Sequence, residues 1–140
     1  MKRKPSIILI AASTGLIAML LVYFIYNKPH KDYAGADAEY VLTPSELFDE
    51  YNFNVDEAVS KYNGKMIALK GVPDDFEVAG DLIIAVFHLD EGTFGPRGVR
   101  CTFKEGTSLE DFTRGEFYTI KGFCSGYNEE DVILEHCTII

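Results

Sequence analysis

Asn63-Gly-Lys-Met-Ile-Ala-Leu-Lys-Gly-Val72 is the stretch where the chain changes period. Before it, Val55, Ala58, Val59 and Tyr62 recur at spacings of three and four, as on one face of a helix. After it, Ile67, Leu69 and Gly71 alternate with Met66, Ala68 and Lys70, as on the two faces of a strand. Asn63-Gly64 stops the helix, because these residues readily take the left-handed turn that closes a helical end. The stretch therefore divides a helical part from a strand part.

Downstream, the period of two persists. Pro73-Asp-Asp75 turns the chain, and Leu82–Leu89 is apolar on both faces, as in a covered strand. Asp90 to Gly98 reads as a Gly- and Pro-rich loop. Val99, Cys101 and Phe103 then point inward, with Arg100 and Thr102 outward. Ser108 to Phe112 reads as one capped helical turn ending at Gly115, and 117–124 with 132–139 as a hairpin around 125–131. Five strands with a short helix between the third and fourth make a mainly β chain with the plan of an OB-fold Greek-key barrel. Gly71 and Gly122 suit the sharp bends of closure.

Upstream, Thr43-Pro-Ser-Glu46 is a helix start: Thr43 caps, Pro44 fits the first turn and Glu46 completes a capping box. Leu47, Phe48 and Tyr51 follow on one face. Two short helices thus precede the barrel, and residues 43–140 form one OB-fold-like domain.

The beginning of the chain is different. Residues 1–5 are a basic tail holding Lys2, Arg3 and Lys4. Residues 6–26 contain 17 apolar residues out of 21 and no charge. At about 1.5 Å per residue that run reaches roughly 30 Å, the hydrocarbon thickness of a bilayer. Tyr23, Phe24 and Tyr26 gather at one end, where amphipathic rings favour the headgroup level. A cleaved signal would have an apolar core of only about 7–15 residues. The run reads as a single transmembrane anchor. Three basic residues precede it and Lys28 and Lys31 follow, which places the N-terminus in the cytoplasm and the domain outside it. Residues 27–42, with Pro29, His30 and Gly35, read as a linker at the membrane surface.

All 22 acidic residues lie from Asp32 onward, against eight basic ones, so that part carries −14. Such a charge repels phosphate at long range and disfavours nucleic acid as a partner. Ten Phe and eight Tyr exclude disorder, because they supply a core.

The run Tyr26-Asn-Lys-Pro-His-Lys-Asp32 resembles one group of the tRNA_anti-like family of OB-fold proteins. So do Leu47-Phe48 with Ala58…Lys61-Tyr62, Lys65…Gly71, Val99-Arg-Cys-Thr-Phe103 and Gly115…Ile120-Lys-Gly122…Cys124. The resemblance implies an OB barrel and ligand binding, and carries over no catalytic residue.

Cys101, Cys124 and Cys137 are 23 and 13 positions apart, with no C-x-x-C pair, so neither zinc nor redox catalysis is indicated. Outside the cytoplasm any two of them are candidates for a disulfide, and otherwise they are buried apolar side chains. His88 and His136 fall in strands without the nucleophile and carboxylate of a catalytic set. Asp74-Asp75, Asp90-Glu91, Glu110-Asp111 and Glu129-Glu-Asp131 fall in turns or the helical cap and read as solvated charge, with no calcium-loop spacing. OB barrels bind across the second and third strands. The ligand candidates there are Arg100, Thr102 and Lys104, with Arg97 in the preceding loop and Lys70, Lys121 and Phe123 from the first and fourth strands. Cations beside an aromatic platform are the elements of a single-strand groove. The expectation is a membrane-anchored, non-enzymatic binding module without a cofactor, engaging a protein or glycan at the cell envelope; weak single-stranded nucleic-acid binding is the alternative.

Overall fold

Gly64 takes φ +80° and ends the helical part, and β2 (Met66–Gly71) begins two residues later in the computed structural model. The structure describes residues 4–27 and 32–140, with the backbone alone for 4–9. Lys2 and Arg3 of the basic tail, and Lys28, His30 and Lys31 of the expected linker, lie outside the described residues. The chain divides into two compact units, Met1–Lys31 and Asp32–Ile140.

In the first unit, α1 (Lys4–Tyr26) is one unbroken helix. Ser13 and Thr14 each donate a hydroxyl to the Ile10 carbonyl, at 2.8 and 2.6 Å, so neither leaves a polar group unpaired. Among the described residues no helix is long and apolar enough to cross a membrane. Positions 10–26, whose side chains are described, reach about 25 Å, against about 30 Å of hydrocarbon. The helix is observed; the span expected over 6–26 is not.

In the second unit, α2 (Pro44–Phe53) starts at the expected capping box, in which Thr43 and Glu46 exchange both bonds. α3 (Val55–Tyr62) is capped by Asn54 and buries Ala58 and Tyr62, while Val55 and Val59 stay exposed. α2 packs against β2, β4, β5 and β7 and adds Leu47, Phe48 and Tyr51 to the core within the barrel. Burying each such large side chain contributes about 1.5–3 kcal/mol.

Seven strands form one sheet: β1 (Tyr40–Leu42), β2, β3 (Asp75–Ala79), β4 (Leu82–Gly92), β5 (Gly95–Phe103), β6 (Tyr118–Tyr127) and β7 (Asp131–Ile139). Their order is β1-β2-β6-β7-β5-β4-β3, and the pairs are antiparallel except β1 with β2 and β5 with β7. Leaving β1 aside, the two ends of this sheet are β2 and β3, consecutive segments parted only by residues 72–74. One long strand broken at Pro73 thus belongs to both ends, and the sheet curls into a barrel. This mainly β arrangement with a few helices is consistent with an OB-like fold.

The expected strand count of five is corrected to seven. β3 begins at Asp75, directly after Pro73-Asp74, and returns through the two-residue hairpin Gly80-Asp81, with Gly80 at φ +62°. β1 lies in the segment read as linker, and Asp32 onward belongs to the second unit. The expected loop 90–98 is instead the continuation of the β4–β5 hairpin, with Glu91 opposite Pro96 and Gly92 opposite Gly95. Its glycines serve close packing as well as turning: a Cβ on Gly98 would overlap the Phe87 carbonyl. The capped turn expected at 108–112 is a short 3-10 helix, Leu109–Asp111.

Candidate ligand-binding face

Leu134 and Cys137 are both fully buried although they are three residues apart, a spacing that an uninterrupted strand would place on opposite faces. The register accounts for it. Cys101 pairs with Leu134 but Phe103 pairs with Cys137, so β7 carries one extra residue in a bulge. His136 takes φ +53° there, in the left-handed region that a non-glycine residue enters at a cost of about 1–3 kcal/mol. The bulge leaves Glu135 and His136 exposed side by side.

These two residues border a cleft of about 430 Å³ with Leu82 of β4, Thr102 and Phe103 of β5, and Lys104 and Glu105 beyond it. Beside the cleft, the Tyr33 ring stacks on His136 (centroids 4.2 Å apart, planes 2° from parallel) and meets Phe123 edge-on at 5.1 Å. The site thus offers stacked rings, an apolar wall, one ammonium and two carboxylates.

The structure distributes the sequence candidates unevenly. Thr102 and Lys104 line the cleft, and Phe123 adjoins it through Tyr33. Arg97 is engaged within the chain and does not line the cleft: its guanidinium donates to the Tyr127 hydroxyl (2.6 Å), Asn52 Oδ1 and the Glu129 carbonyl (both 3.1 Å) and lies over the Phe48 ring. Arg100 is paired with Glu77 across β4. Lys121 donates to the carbonyls of Ala34 and Ala36, both at 2.8 Å. Lys70 is exposed on β2, where it pairs with Thr119 of β6; its ammonium makes no hydrogen bond or ion pair among the described residues and does not line the cleft. The spacing of Leu134 and Cys137 was the one sequence signal for the bulge that presents Glu135 and His136. Nothing in the sequence pointed to Tyr33.

The three cysteines are free thiols, all fully buried. Burial pushes the Cys124 thiol up, and does the same more strongly to Cys137. Thiols held protonated in this way are poor nucleophiles and metal ligands. Among the described residues no cluster of His, Cys, Asp and Glu is arranged to hold a metal ion. A larger concavity of about 510 Å³ lies between α2 and α3, walled by Asp49, Glu50, Glu57 and Lys61. Phe53, Asn54 and Ala58 complete its wall; its lysine is already bound to Glu50 at 2.9 Å and none of the sequence candidates lines it, so the bulge cleft is the better candidate.

The sequence pattern of the tRNA_anti-like family matches residues 1–139. No curated protein matches the chain. Among solved structures, the crystal structure of a "putative nucleic acid-binding lipoprotein" from Klebsiella pneumoniae subsp. pneumoniae is similar, with a TM-score of 0.58 and 21% identity over 81% of this chain and 99% of that one. At that identity the likeness concerns the fold.

Proposed function

Since this chain belongs to the tRNA_anti-like family, we propose that it is a membrane-anchored, non-enzymatic OB-like binding module that engages a glycan or protein at the cell envelope through the bulge cleft. One observation carries this reading: Arg97, Arg100 and Lys121 are already bound within the chain. Of the cations expected on the face, only Lys104 reaches the cleft, where Glu105 and Glu135 oppose it. Polar groups of both signs beside stacked rings suit a ligand rich in hydroxyls or amides better than a phosphate chain, and the −14 charge from Asp32 onward acts in the same direction.

The similar structure is described as a lipoprotein. This chain has no cysteine before Cys101, and the apolar run 6–26 fills the anchoring role. Over positions 10–26 α1 has no polar face, as suits a helix surrounded by lipid. The basic residues before the run favour an N-terminus in the cytoplasm and the barrel outside. A reporter fused after Ile140 tests the topology: activity only outside the cytoplasm is expected, and activity only inside overturns the placement.

The second reading, weak single-stranded nucleic-acid binding, is favoured by the description of the similar structure and by exposed Lys70 and Lys104. Titration of the full chain in detergent separates the two. Binding of envelope glycans or of a purified envelope protein, lost with Lys104→Glu and His136→Ala and insensitive to salt, supports the first. Binding of labelled oligonucleotides that falls steeply with salt supports the second and overturns the first.

A further inference from the structure

We infer that the outer face of β6 and β7 is a peptide-binding groove, filled in this structure by the chain's own residues 32–37. In trans it takes an extended segment of a partner protein in which an aromatic residue is followed by small ones. The seated segment shows what the groove reads. The Tyr33 ring lies between Phe123 of β6, edge-on at 5.1 Å, and His136 of the β7 bulge, stacked at 4.2 Å; both are arrangements that aromatic rings prefer. Lys121, two residues before Phe123 on the same face of β6, donates to the carbonyls of Ala34 and Ala36, both at 2.8 Å. One aromatic side chain and two main-chain carbonyls are thus engaged, whereas Ala34, Gly35 and Ala36 add nothing larger than a methyl group.

This occupant is not built into the sheet. Among the described residues the segment first joins the sheet at Glu39, whose N–H donates to the Met66 carbonyl just before β1. Lifting residues 32–37 away breaks the ring contacts and the bonds of Lys121, while β6 and β7 keep their pairing. Such local opening needs less free energy than unfolding the barrel. It uncovers two rings and an ammonium side by side, and the surface runs on into the cleft through His136, which borders both. Main-chain hydrogen bonds for affinity with a side-chain slot for specificity are how extended peptides are recognised.

The inference deepens the reading of a protein partner by naming the segment that partner presents, and rests on that reading only for the existence of a partner. The cis segment competes at a high effective concentration, so a trans peptide gains affinity when the cis segment is loosened.

The test uses the full chain in detergent at moderate salt, which screens the repulsion between acidic partners. The probe is a labelled hexapeptide with blocked ends, Asp-Tyr-Ala-Gly-Ala-Asp, the sequence of residues 32–37. N-acetyltyrosinamide serves as the ring alone. Tyr33→Ala should bind the hexapeptide at least about tenfold more tightly than the parent chain does. It should bind the ring alone more weakly than the hexapeptide, which separates a groove from a mere hole. Bound hexapeptide should move the His136 imidazole signal, one of three in the chain, back toward its place in the parent spectrum. Adding Lys121→Met to Tyr33→Ala should erase the advantage of the hexapeptide over the ring. Failure of the hexapeptide to bind Tyr33→Ala, equal binding to the parent, no advantage over the ring, or indifference to Lys121→Met overturns the inference. None of these results decides the cleft reading, whose own titration uses other ligands and Lys104→Glu.

Discussion

The ring of Tyr33 lies flat on that of His136, with centroids 4.2 Å apart. Tyr33 belongs to the segment that leads out of the apolar run, and His136 to the bulge that opens the cleft. Lys121 fastens the same segment by donating to the carbonyls of Ala34 and Ala36, and Asp32 accepts from the Gly35 N–H at 2.9 Å. The segment is thereby a strap across the outer face of β6 and β7. It occupies Lys121 and adjoins Phe123, two of the residues whose types suggested a ligand site.

Replacing Lys121 with Met should free the strap while the core stays intact. The loss is one cation that donates to two carbonyls, about 1–2 kcal/mol for a half-exposed group. Hydrogen exchange is the measurement: protection should fall over residues 34–37 and remain unchanged in β4 and β5. Tyr33→Ala should loosen the same residues and leave His136 more open to solvent.

Arg97→Ala should be a stability mutation and leave ligand binding by the folded protein unchanged. Arg97 joins α2 through Asn52 and Phe48 to the β6–β7 turn through Tyr127 and Glu129. Losing these contacts should cost about 2–3 kcal/mol, read as a lower urea midpoint. Arg97→Lys should recover little, because one ammonium cannot reproduce the planar fork that meets three acceptors.

The change of period at Asn63-Gly64 and the capping box at Thr43 are local signals, and the structure places β2 and α2 where they point. What escaped depends on contacts distant in sequence. β1 has three residues, too few to show a period, and exists because β2 offers it an edge. The glycines between Asp90 and Gly98 look like loop composition, yet Gly98 is required by close packing on Phe87. Cations on outward positions are readable from alternation, but whether one is free depends on its partner. Glu77 for Arg100 and the Ala34 and Ala36 carbonyls for Lys121 come from segments 23 and about 86 residues away.

Gly122→Ala should be costly, and the cost should be repaired at one particular site. A Cβ there would overlap the Cys137 sulfur and stand 3.2 Å from Leu134 Cβ. Overpacking of this kind costs about 1–3 kcal/mol. Cys137→Ala alone leaves a small cavity, and in the double variant the alanine methyl of residue 122 should fill part of it. A double-mutant cycle on urea midpoints should therefore give a coupling of about 1 kcal/mol or more, favourable to the pair. Additive costs would mean that the backbone relaxes around Gly122 instead.

Acid should weaken the contact between α2 and α3 in a way that traces to Glu50. The Tyr62 hydroxyl donates to its carboxylate at 2.7 Å, and Lys61 donates at 2.9 Å. The Tyr62 bond foremost, and Lys61 after it, hold the Glu50 carboxyl below its ordinary value of 4.5. A carboxylate whose folded value is depressed binds its proton more readily when unfolded. Its stabilisation is therefore complete well above 4.5, starts to fall as the pH approaches that value, and is gone below the folded one. Glu50 is about two-fifths exposed, so the effect is small and partly screened. Urea midpoints measured between pH 6 and 3 should fall more steeply for the parent chain than for Glu50→Gln, the other carboxylates being common to both. Tyr62→Phe should remove most of that difference, whereas high salt, which screens only the Lys61 pair, should remove less of it. If salt alone abolishes the difference, the ion pair and not the tyrosine bond sets the acid sensitivity of the helical pair.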